Sequence, residues 1–155
     1  PDGNRIAFRV SGGRNGGSSL NIRDCRSGKS AQIASTKSTA ESIGSYMWSP
    51  AGGVLAFVRS SPAPYPAEVD DAYGSIFIYL VGQGAVRLGG THGNERVAGF
   101  SSDGKGVYVS RRESIVNTTL ESMGYLPMSG GEGTPLIKSQ QGLRYSRFAV
   151  RTEPG

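Results

Sequence analysis

A segment near the middle of the chain reads Trp48-Ser49-Pro50-Ala51-Gly52-Gly53-Val54-Leu55-Ala56-Phe57. It consists of an aromatic residue, a short polar turn and a run of apolar residues. Proline presets its own φ, serine can bond the backbone two residues on, and glycine accepts the positive φ that reverses the chain. The apolar run is rich in residue types suited to a β-strand. The segment therefore predicts a hairpin, with the aromatic residue on the incoming strand.

The same pattern occurs three times. Its turn glycines, Gly3, Gly52 and Gly104, are 49 and 52 residues apart, and Phe148, 48 residues after Phe100, is where a fourth copy would begin. A repeat of this length is typical of propeller blades or a solenoid. The copies are Pro1-Asp2-Gly3-Asn4-Arg5-Ile6-Ala7-Phe8, which lacks the first strand, the segment quoted above, and Phe100-Ser101-Ser102-Asp103-Gly104-Lys105-Gly106-Val107-Tyr108-Val109. We interpret the three glycines as structural turns with positive φ, and expect Gly16, in a variable loop, to accept a side chain.

Each complete repeat contains four runs of strand-forming residues separated by turns. This pattern predicts a four-stranded meander of the kind that builds a propeller blade. The expected fold class is an all-β β-propeller fragment of four-stranded antiparallel blades, with repeats at about 1–42, 43–94 and 95–142 and the start of a fourth at about 143–155. The expected strands cover residues 5–10, 18–24, 30–34, 43–48, 54–59, 75–81, 85–88, 97–100, 107–111, 123–128 and 135–138.

Composition limits the function classes. The 155 residues include 24 glycines and carry a net charge of +5 that is spread along all repeats, with no basic stripe, so we expect no nucleic-acid partner. No apolar run is long enough for a membrane span, which predicts no membrane insertion. Cys25 is the single cysteine and cannot form a disulfide within the chain, which leaves the compartment open. No cofactor is expected.

The repeats resemble the WD40-like β-propeller repeat of the TolB type, whose pattern is an aromatic residue, Ser-Pro-Asp-Gly and Ile-Ala-Phe, followed by an Ile-Tyr strand and a Gly-Gly turn. The resemblance covers nearly the whole chain. It rests on Pro1-Asp2-Gly3 with Ile6-Ala7-Phe8, on Trp48-Ser49-Pro50 with Leu55-Ala56-Phe57 and Ile78-Tyr79, and on Phe100-Ser101, Asp103-Gly104 and Met128-Ser129-Gly130-Gly131.

This resemblance implies a non-catalytic recognition scaffold that binds a protein or peptide, together with the remaining blades of the same propeller. In bacteria it implies a periplasmic role in envelope maintenance, so a periplasmic or extracellular location is favoured. The same repeat also builds the propellers of prolyl-oligopeptidase-type serine peptidases of the dipeptidyl and acylaminoacyl peptidase kind. The alternative is therefore the regulatory propeller of such an enzyme, with the catalytic domain C-terminal to this segment.

Several motifs that carry chemistry in other proteins have a simpler interpretation here. Gly28-Lys29-Ser30 ends like a phosphate-binding loop, and Gly82-Gln83-Gly84 like a dinucleotide fingerprint, but each lacks a required glycine and is followed by a predicted strand instead of a helix. His92 is the only histidine. A catalytic histidine needs an acid that orients it, and no such acid is evident, so we expect His92 to lie on the surface. The segment is therefore expected to hold no catalytic constellation. The carboxylates at 68, 70 and 71 match no calcium-ligand spacing, which predicts no metal site.

The connections predict where binding occurs. In a four-stranded meander, the second-to-third and fourth-to-first connections lie at one end of the sheet, and the other turns lie at the opposite end. The first set is long, at 11–17, 60–74 and 112–122 with 35–42, 89–94 and 139–142; the second is short, at 50–53, 102–105, 27–29, 82–84 and 129–133. Because binding groups are usually placed on long loops, we expect the partner at this long-loop face. The candidate contact residues are Tyr65, Tyr73, Asp70, Asp71 and Arg112.

Overall fold

A computed structural model describes residues 3–12, 16–61, 73–92, 94–115, 118–130 and 133–137, and within them every regular element is a β-strand. The eleven strands are β1 (Arg5–Ser11), β2 (Ser18–Asp24), β3 (Ser30–Ser35), β4 (Ser42–Trp48), β5 (Val54–Ser61), β6 (Tyr73–Leu80), β7 (Gly84–His92), β8 (Asn94–Phe100), β9 (Gly106–Ile115), β10 (Thr118–Pro127) and β11 (Thr134–Ile137). Each overlaps one predicted strand. Among the described residues, no helix is long and apolar enough to cross a membrane.

The strands form three separate antiparallel sheets. The first sheet has the order β1-β2-β3, the second β4-β5-β6-β7 and the third β8-β9-β10-β11, so each sheet is a meander of consecutive strands. All neighbouring strands in the three sheets pair antiparallel. The all-β propeller-blade architecture predicted from the repeats is confirmed.

Glycines reverse the chain at the positions that the repeat predicts. Gly3, Gly52 and Gly104 have φ of 68°, 73° and 68°, values that side chains rarely adopt. In the second and third repeats a serine closes the same turn: Ser49 N–H donates to Val54 O at 2.8 Å, and Ser101 N–H donates to Gly106 O at 2.9 Å. The aromatic-turn-strand segment therefore forms the predicted hairpin in both.

The second sheet is the centre of the core because both of its faces are covered. In every sheet, the upstream face is the one on the side of the preceding sheet in chain order, and the downstream face is the one on the side of the following sheet. The downstream face of the first sheet packs on the upstream face of the second, where Leu55 and Phe57 are buried against Leu20 and Ile22. The downstream face of the second sheet packs on the upstream face of the third. In this second interface, the second sheet contributes Ala56, Val58, Ile76, Ile78 and Leu88, and the third sheet contributes Val97, Phe100, Val107, Val109 and Leu126.

The alternation of side chains along β5 explains why the second sheet packs against a neighbouring sheet on both faces. Successive side chains of a strand point to opposite faces. In Leu55-Ala56-Phe57-Val58 all four residues are almost fully buried, but Leu55 and Phe57 belong to one cluster and Ala56 and Val58 to the other. A strand that is apolar at every position is expected where both faces of a sheet are covered.

The predicted long connections are partly wrong. The loop expected at 112–122 is a continuation of two strands, in which β9 pairs with β10 up to Ile115 and Thr118. The connection expected at 89–94 is also strand, because β7 extends to His92 and β8 begins at Asn94. The ends of the expected loop at 60–74 are paired as well, since Ser61 lies opposite Tyr73. The connection at 35–42 shortens to 36–41, and 139–142 lies outside the described residues.

The expectation for Gly16 is wrong too. A Cβ at Gly16 would collide with the carbonyl oxygen of Gly12, and one at Gly12 would collide with Gly17. The ends of this loop are held together by a hydrogen bond from Gly12 N–H to Gly17 O at 2.8 Å. The glycines at 12, 16 and 17 are therefore required by the close approach of two backbone segments, which the sequence does not reveal.

Candidate binding face

The long-loop face is built at the end of the sheets where β1 leads into β2, β5 into β6, and β9 into β10. The same end carries the connections from β3 to β4 and from β7 to β8. Hydrogen bonds that each involve one side chain join neighbouring sheets. Arg9 Nη1 donates to Ile43 O at 2.9 Å between the first and second sheets, and Val97 N–H donates to Ser45 Oγ at 2.9 Å between the second and third.

Both acceptors lie where β4 is irregular. The register of β4 against β5 shifts between Ile43 and Tyr46, and that of β8 against β9 shifts between Val97 and Gly99. Bulges of this kind leave backbone groups unpaired within the sheet and re-aim them. The neighbouring sheet therefore contributes to the pairing of β4 and β8, the first strands of their sheets, which fixes the spacing of the sheets at this end.

A serine and a threonine close the first sheet at this end. Ser18 N–H donates to Thr36 Oγ1 at 2.7 Å, and Thr36 N–H donates to Ser18 O at 2.8 Å. Thr36 is buried, and a Cβ at the adjacent Gly17 would collide with the carbonyl of Thr36. The start of the connection from β3 to β4 is therefore held against the start of β2.

Glu41 anchors the other end of the same connection. Its Oε2 accepts a hydrogen bond from Lys37 N–H at 2.7 Å, and its Oε1 lies 3.4 Å from Arg59 Nη2. The backbone hydrogen bond from Lys37 lowers the pKa of the Glu41 carboxyl, with the positive charges of Arg59 and Lys37 acting in the same direction. Because the ion pair is partly exposed, it positions the connection more than it stabilises the fold.

The insertion between β5 and β6 is longer than the connections around it. It covers 62–72, so Tyr65, Asp70 and Asp71, together with the acidic group at 68, lie outside the described residues. Tyr73 is in the first position of β6, opposite Ser61 on one side and His92 on the other. The structure thus places Tyr73 and His92 opposite each other in neighbouring strands, at the base of the insertion, and not in the connections at 60–74 and 89–94 that the sequence predicted.

Arg112 is also a strand residue. It lies in β9 opposite Glu121 of β10 and Asn94 of β8. Its neighbour Arg111 stands opposite Glu95 and Ser122. These backbone positions place Arg112 in the third sheet at the same end as Tyr73 in the second sheet.

The opposite end of the sheets carries tight turns. Asp24 Oδ1 accepts hydrogen bonds from Ser27 N–H at 2.7 Å, Ser27 Oγ at 3.0 Å and Arg26 N–H at 3.0 Å. These hydrogen bonds, of which the one from the Ser27 backbone has the largest effect, lower the pKa of the Asp24 carboxyl.

The phosphate-loop interpretation of Gly28-Lys29-Ser30 is excluded because a strand, β3, begins directly at Ser30. In the same way, β7 begins at Gly84, so the Gly82-Gln83-Gly84 segment is a hairpin turn.

Sequence reasoning missed the residues that shape the long-loop face. Arg9, Ser45, Thr36 and the Glu41–Arg59 pair are single polar residues with no motif around them, and their roles depend on contacts 18 to 52 residues apart in the chain. Within the part of the chain that the structure describes, no group of histidine, cysteine and acidic side chains is arranged to hold a metal ion.

No family model matches this chain, and no curated protein matches it in sequence. Solved structures share its fold. A chain from a structural and mechanistic analysis of two prolyl endopeptidases superposes with a TM-score of 0.58 and 16% identity, over 88% of this chain and 21% of that one. TolB from Acinetobacter baumannii superposes with a TM-score of 0.51 and 18% identity, over 89% of this chain and 31% of TolB.

The chain therefore spans less than a third of either structure. At these identities the likeness concerns the fold alone. Together with the three stacked meanders, it identifies the chain as part of a β-propeller of the kind found in both proteins.

Proposed function

We propose that the chain is a non-catalytic recognition scaffold, which binds a protein or peptide through the long-loop face. The observation that carries the proposal is the difference between the two ends of the sheets. At one end the described turns are tight and hydrogen-bonded, whereas the other end receives the insertion at 62–72 on a base formed by the paired residues Ser61 and Tyr73. A rigid sheet that presents one long loop is the usual arrangement of a binding site on a β scaffold. The fold that the chain shares with TolB supports this proposal.

Under this proposal Tyr65, Tyr73, Asp70, Asp71 and Arg112 form the contact surface. Aromatic residues and arginine are enriched where proteins bind one another. Acidic residues beside them favour a partner segment that carries basic groups. Gly3, Gly52 and Gly104 act only through the fold.

Site-specific photo-crosslinking tests this assignment. A photoreactive residue is placed at position 65, within the insertion, or at position 26, in the turn between β2 and β3 at the opposite end. The protein is then irradiated in extracts of its source cells, and crosslinked species are compared. We expect one discrete crosslinked protein from position 65 and none from position 26. The same species from both positions, or only from position 26, would contradict the face assignment.

The second candidate is the regulatory propeller of a serine peptidase of the prolyl-oligopeptidase type. The superposition on the prolyl endopeptidase chain supports it, as the superposition on TolB supports the first candidate. The 155 residues contain no Gly-x-Ser-x-Gly sequence, so a nucleophile would have to come from another domain. Labelling of the parent protein with a fluorophosphonate probe distinguishes the candidates, since only a serine peptidase reacts at an activated serine.

We further propose that additional sheets of the same repeat complete the ring. Propellers contain about 4–8 blades, and the chain provides three sheets among its described residues. In such a ring the long-loop face surrounds the central axis.

A further inference from the structure

The second and third sheets are joined at the long-loop face by a very short link. β7 is the last strand of the second sheet and β8 is the first strand of the third, and only position 93 separates them. β8 nevertheless lies against β4, at the far edge of the second sheet, as well as against β5 and β6. By Val97 it has reached β4, where the Val97 N–H donates to Ser45 Oγ.

The start of β8 therefore crosses the end of the second sheet. Three strand spacings separate β7 from β4, a distance of about 14 Å at about 4.8 Å each. The chain from His92 to Val97 extends at most about 17 Å, so this segment has little length to spare. The third sheet thus begins on the long-loop end of the second, and the two ends form one continuous surface.

This link brings four polar residues into one row. Tyr73 of β6 faces His92 at the end of β7, and Asn94 at the start of β8 faces Arg112 of β9. Facing residues have Cα atoms about 5 Å apart, and two residues of chain span at most about 7 Å. The Cα atoms of Tyr73 and Arg112 are therefore no more than about 18 Å apart, which is the length of about five extended residues.

We propose that these four residues form a single contact site, the junction site, which binds an extended partner segment that carries a carboxylate. The inference rests on the proposed function: it adds His92 and Asn94 to the contact residues Tyr73 and Arg112, and it names a chemical group of the partner. The acidic positions of the insertion still favour basic groups elsewhere in the same partner.

The residue types at the junction site favour an anionic group. They supply a phenol hydroxyl, an imidazole, an amide and a guanidinium group, all of which can donate hydrogen bonds, and no carboxylate. The acids nearest in register each face an arginine, Glu95 opposite Arg111 and Glu121 opposite Arg112. Because a guanidinium group has five N–H donors in a planar fork, Arg112 can bind a second carboxylate beside Glu121.

His92 makes this binding dependent on pH. An unperturbed histidine gains its positive charge near pH 6.5, whereas a carboxylate of ordinary pKa stays ionised down to about pH 5.5. Acidification over this range therefore adds a positive charge to the junction site and leaves the charge of its ligand unchanged. The charged and titratable residues that surround His92 in neighbouring strands and in the adjoining sequence are Tyr73, Glu95, Arg111, Arg112, Asp70 and Asp71.

NMR of the His92 imidazole tests the junction site, because the 155 residues contain one histidine and give one imidazole signal. The probe is a pentapeptide, blocked at both ends, that alternates alanine and glutamate. We expect it to shift the His92 signal saturably, with a dissociation constant on the order of 1 mM at pH 8 and at least about fivefold lower at pH 5.5. The same peptide with glutamine in place of glutamate should cause no saturable shift.

A pair of arginine variants separates the junction site from general attraction to a basic protein. Arg112→Gln should raise the dissociation constant of the glutamate peptide by at least about tenfold. Arg87→Gln is the matched control, because it removes the same charge from an exposed position of β7, the strand of His92, toward its opposite end. It should change the dissociation constant by less than about twofold. Equal losses in the two variants, both with their sheets intact by circular dichroism, would overturn the site.

The remaining outcomes separate this inference from the proposed function. Crosslinking from position 65, together with no saturable shift of His92 up to about 10 mM peptide, would overturn the junction site and leave the long-loop face as the binding surface. Equal shifts with the two peptides would overturn the carboxylate, and equal affinity at pH 5.5 and pH 8 would remove His92 from the site. Crosslinking from position 26 alone would overturn the proposed function, and the junction site with it.

Discussion

Phe57 stacks on Phe77 across β5 and β6, with ring centroids 5.4 Å apart and planes inclined by 14°. The pair lies on the upstream face of the second sheet and joins the cluster that contains Leu20 and Ile22 of the first sheet. One cross-strand pair therefore stabilises the second sheet and its packing on the first. Stacked aromatic pairs contribute beyond the area that they bury.

We expect Phe57→Ala to lower the free energy of unfolding by about 3–5 kcal/mol, the usual result of truncating a buried phenylalanine. Phe57 is 1% exposed, so the change leaves a cavity that its neighbours can fill only in part. Urea unfolding followed by circular dichroism measures the effect. Val86→Ala, at an exposed strand position, should change stability by no more than about 0.5 kcal/mol. Equal losses at both positions would contradict a stacked, closely packed sheet interface.

The turn glycines allow backbone strain to be separated from side-chain collision. Gly104 has a φ of +68°, and a Cβ there would meet no atom within 4 Å. Gly104→Ala should therefore destabilise the protein by about 1–3 kcal/mol through its backbone conformation alone. Gly124, in β10 of the same sheet, is the control, because a Cβ there would make only ordinary contacts with Thr134 and Val109. Gly124→Ala is expected to be neutral or slightly stabilising, and a loss as large as that of Gly104→Ala would refute the assignment of the turn.

Gly106 is required for a different reason. Its φ is not in the left-handed region, but a Cβ would collide with the ring and hydroxyl of Tyr125. Gly106→Ala should therefore destabilise the third sheet, and much of the loss should disappear when Tyr125 is already alanine. A double-mutant cycle in urea measures this coupling, expected at about 0.5–3 kcal/mol for residues in contact. Strictly additive effects would show that the ring does not cover Gly106.

The core of the sheets could be predicted from the sequence more fully than the ends of the strands. The turns at Gly52 and Gly104 were predictable because few residues adopt positive φ, and β5 and β6 were predictable because most of their residues are apolar or β-branched. The extension of β9 to Ile115 was not predictable, because it consists of backbone pairing with β10 that the residue types in 112–122 do not indicate. The binding residues proposed in 62–72 rest on residue type alone, since sequence patterns specify turns better than long loops.

A change of pH should affect the turn at Asp24. Hydrogen bonds from Ser27 and Arg26 hold the pKa of its carboxyl below the ordinary value in the folded state. The turn therefore contributes stability above the unfolded pKa of about 4, and this contribution is lost as the pH falls through the lower folded pKa. NMR titration of the carboxyl carbon measures the shift. In Ser27→Ala, which removes the hydroxyl donor, the pKa should move back toward its ordinary value; an unchanged pKa would mean that the hydroxyl does not bond to Asp24.

Ser45 provides a test of how the second and third sheets are joined. Its Oγ accepts the hydrogen bond from Val97 N–H, at a position where β8 is bulged and Val97 is buried. Ser45→Ala would leave this amide without its acceptor, at an expected loss of about 1–3 kcal/mol. Ser45→Thr retains an acceptor and should restore part of that stability.

Hydrogen exchange at the Val97 amide is a readout that a general loss of packing would not mimic. In Ser45→Ala we expect this amide to exchange faster, while amides on the far side of β9, which pair with β10, remain protected. Ser42→Ala is the control, since Ser42 is exposed at the start of the same strand. If Val97 exchanged at the same rate in all three variants, the two sheets would be held together by their apolar faces alone, and the bulge in β8 would need another explanation.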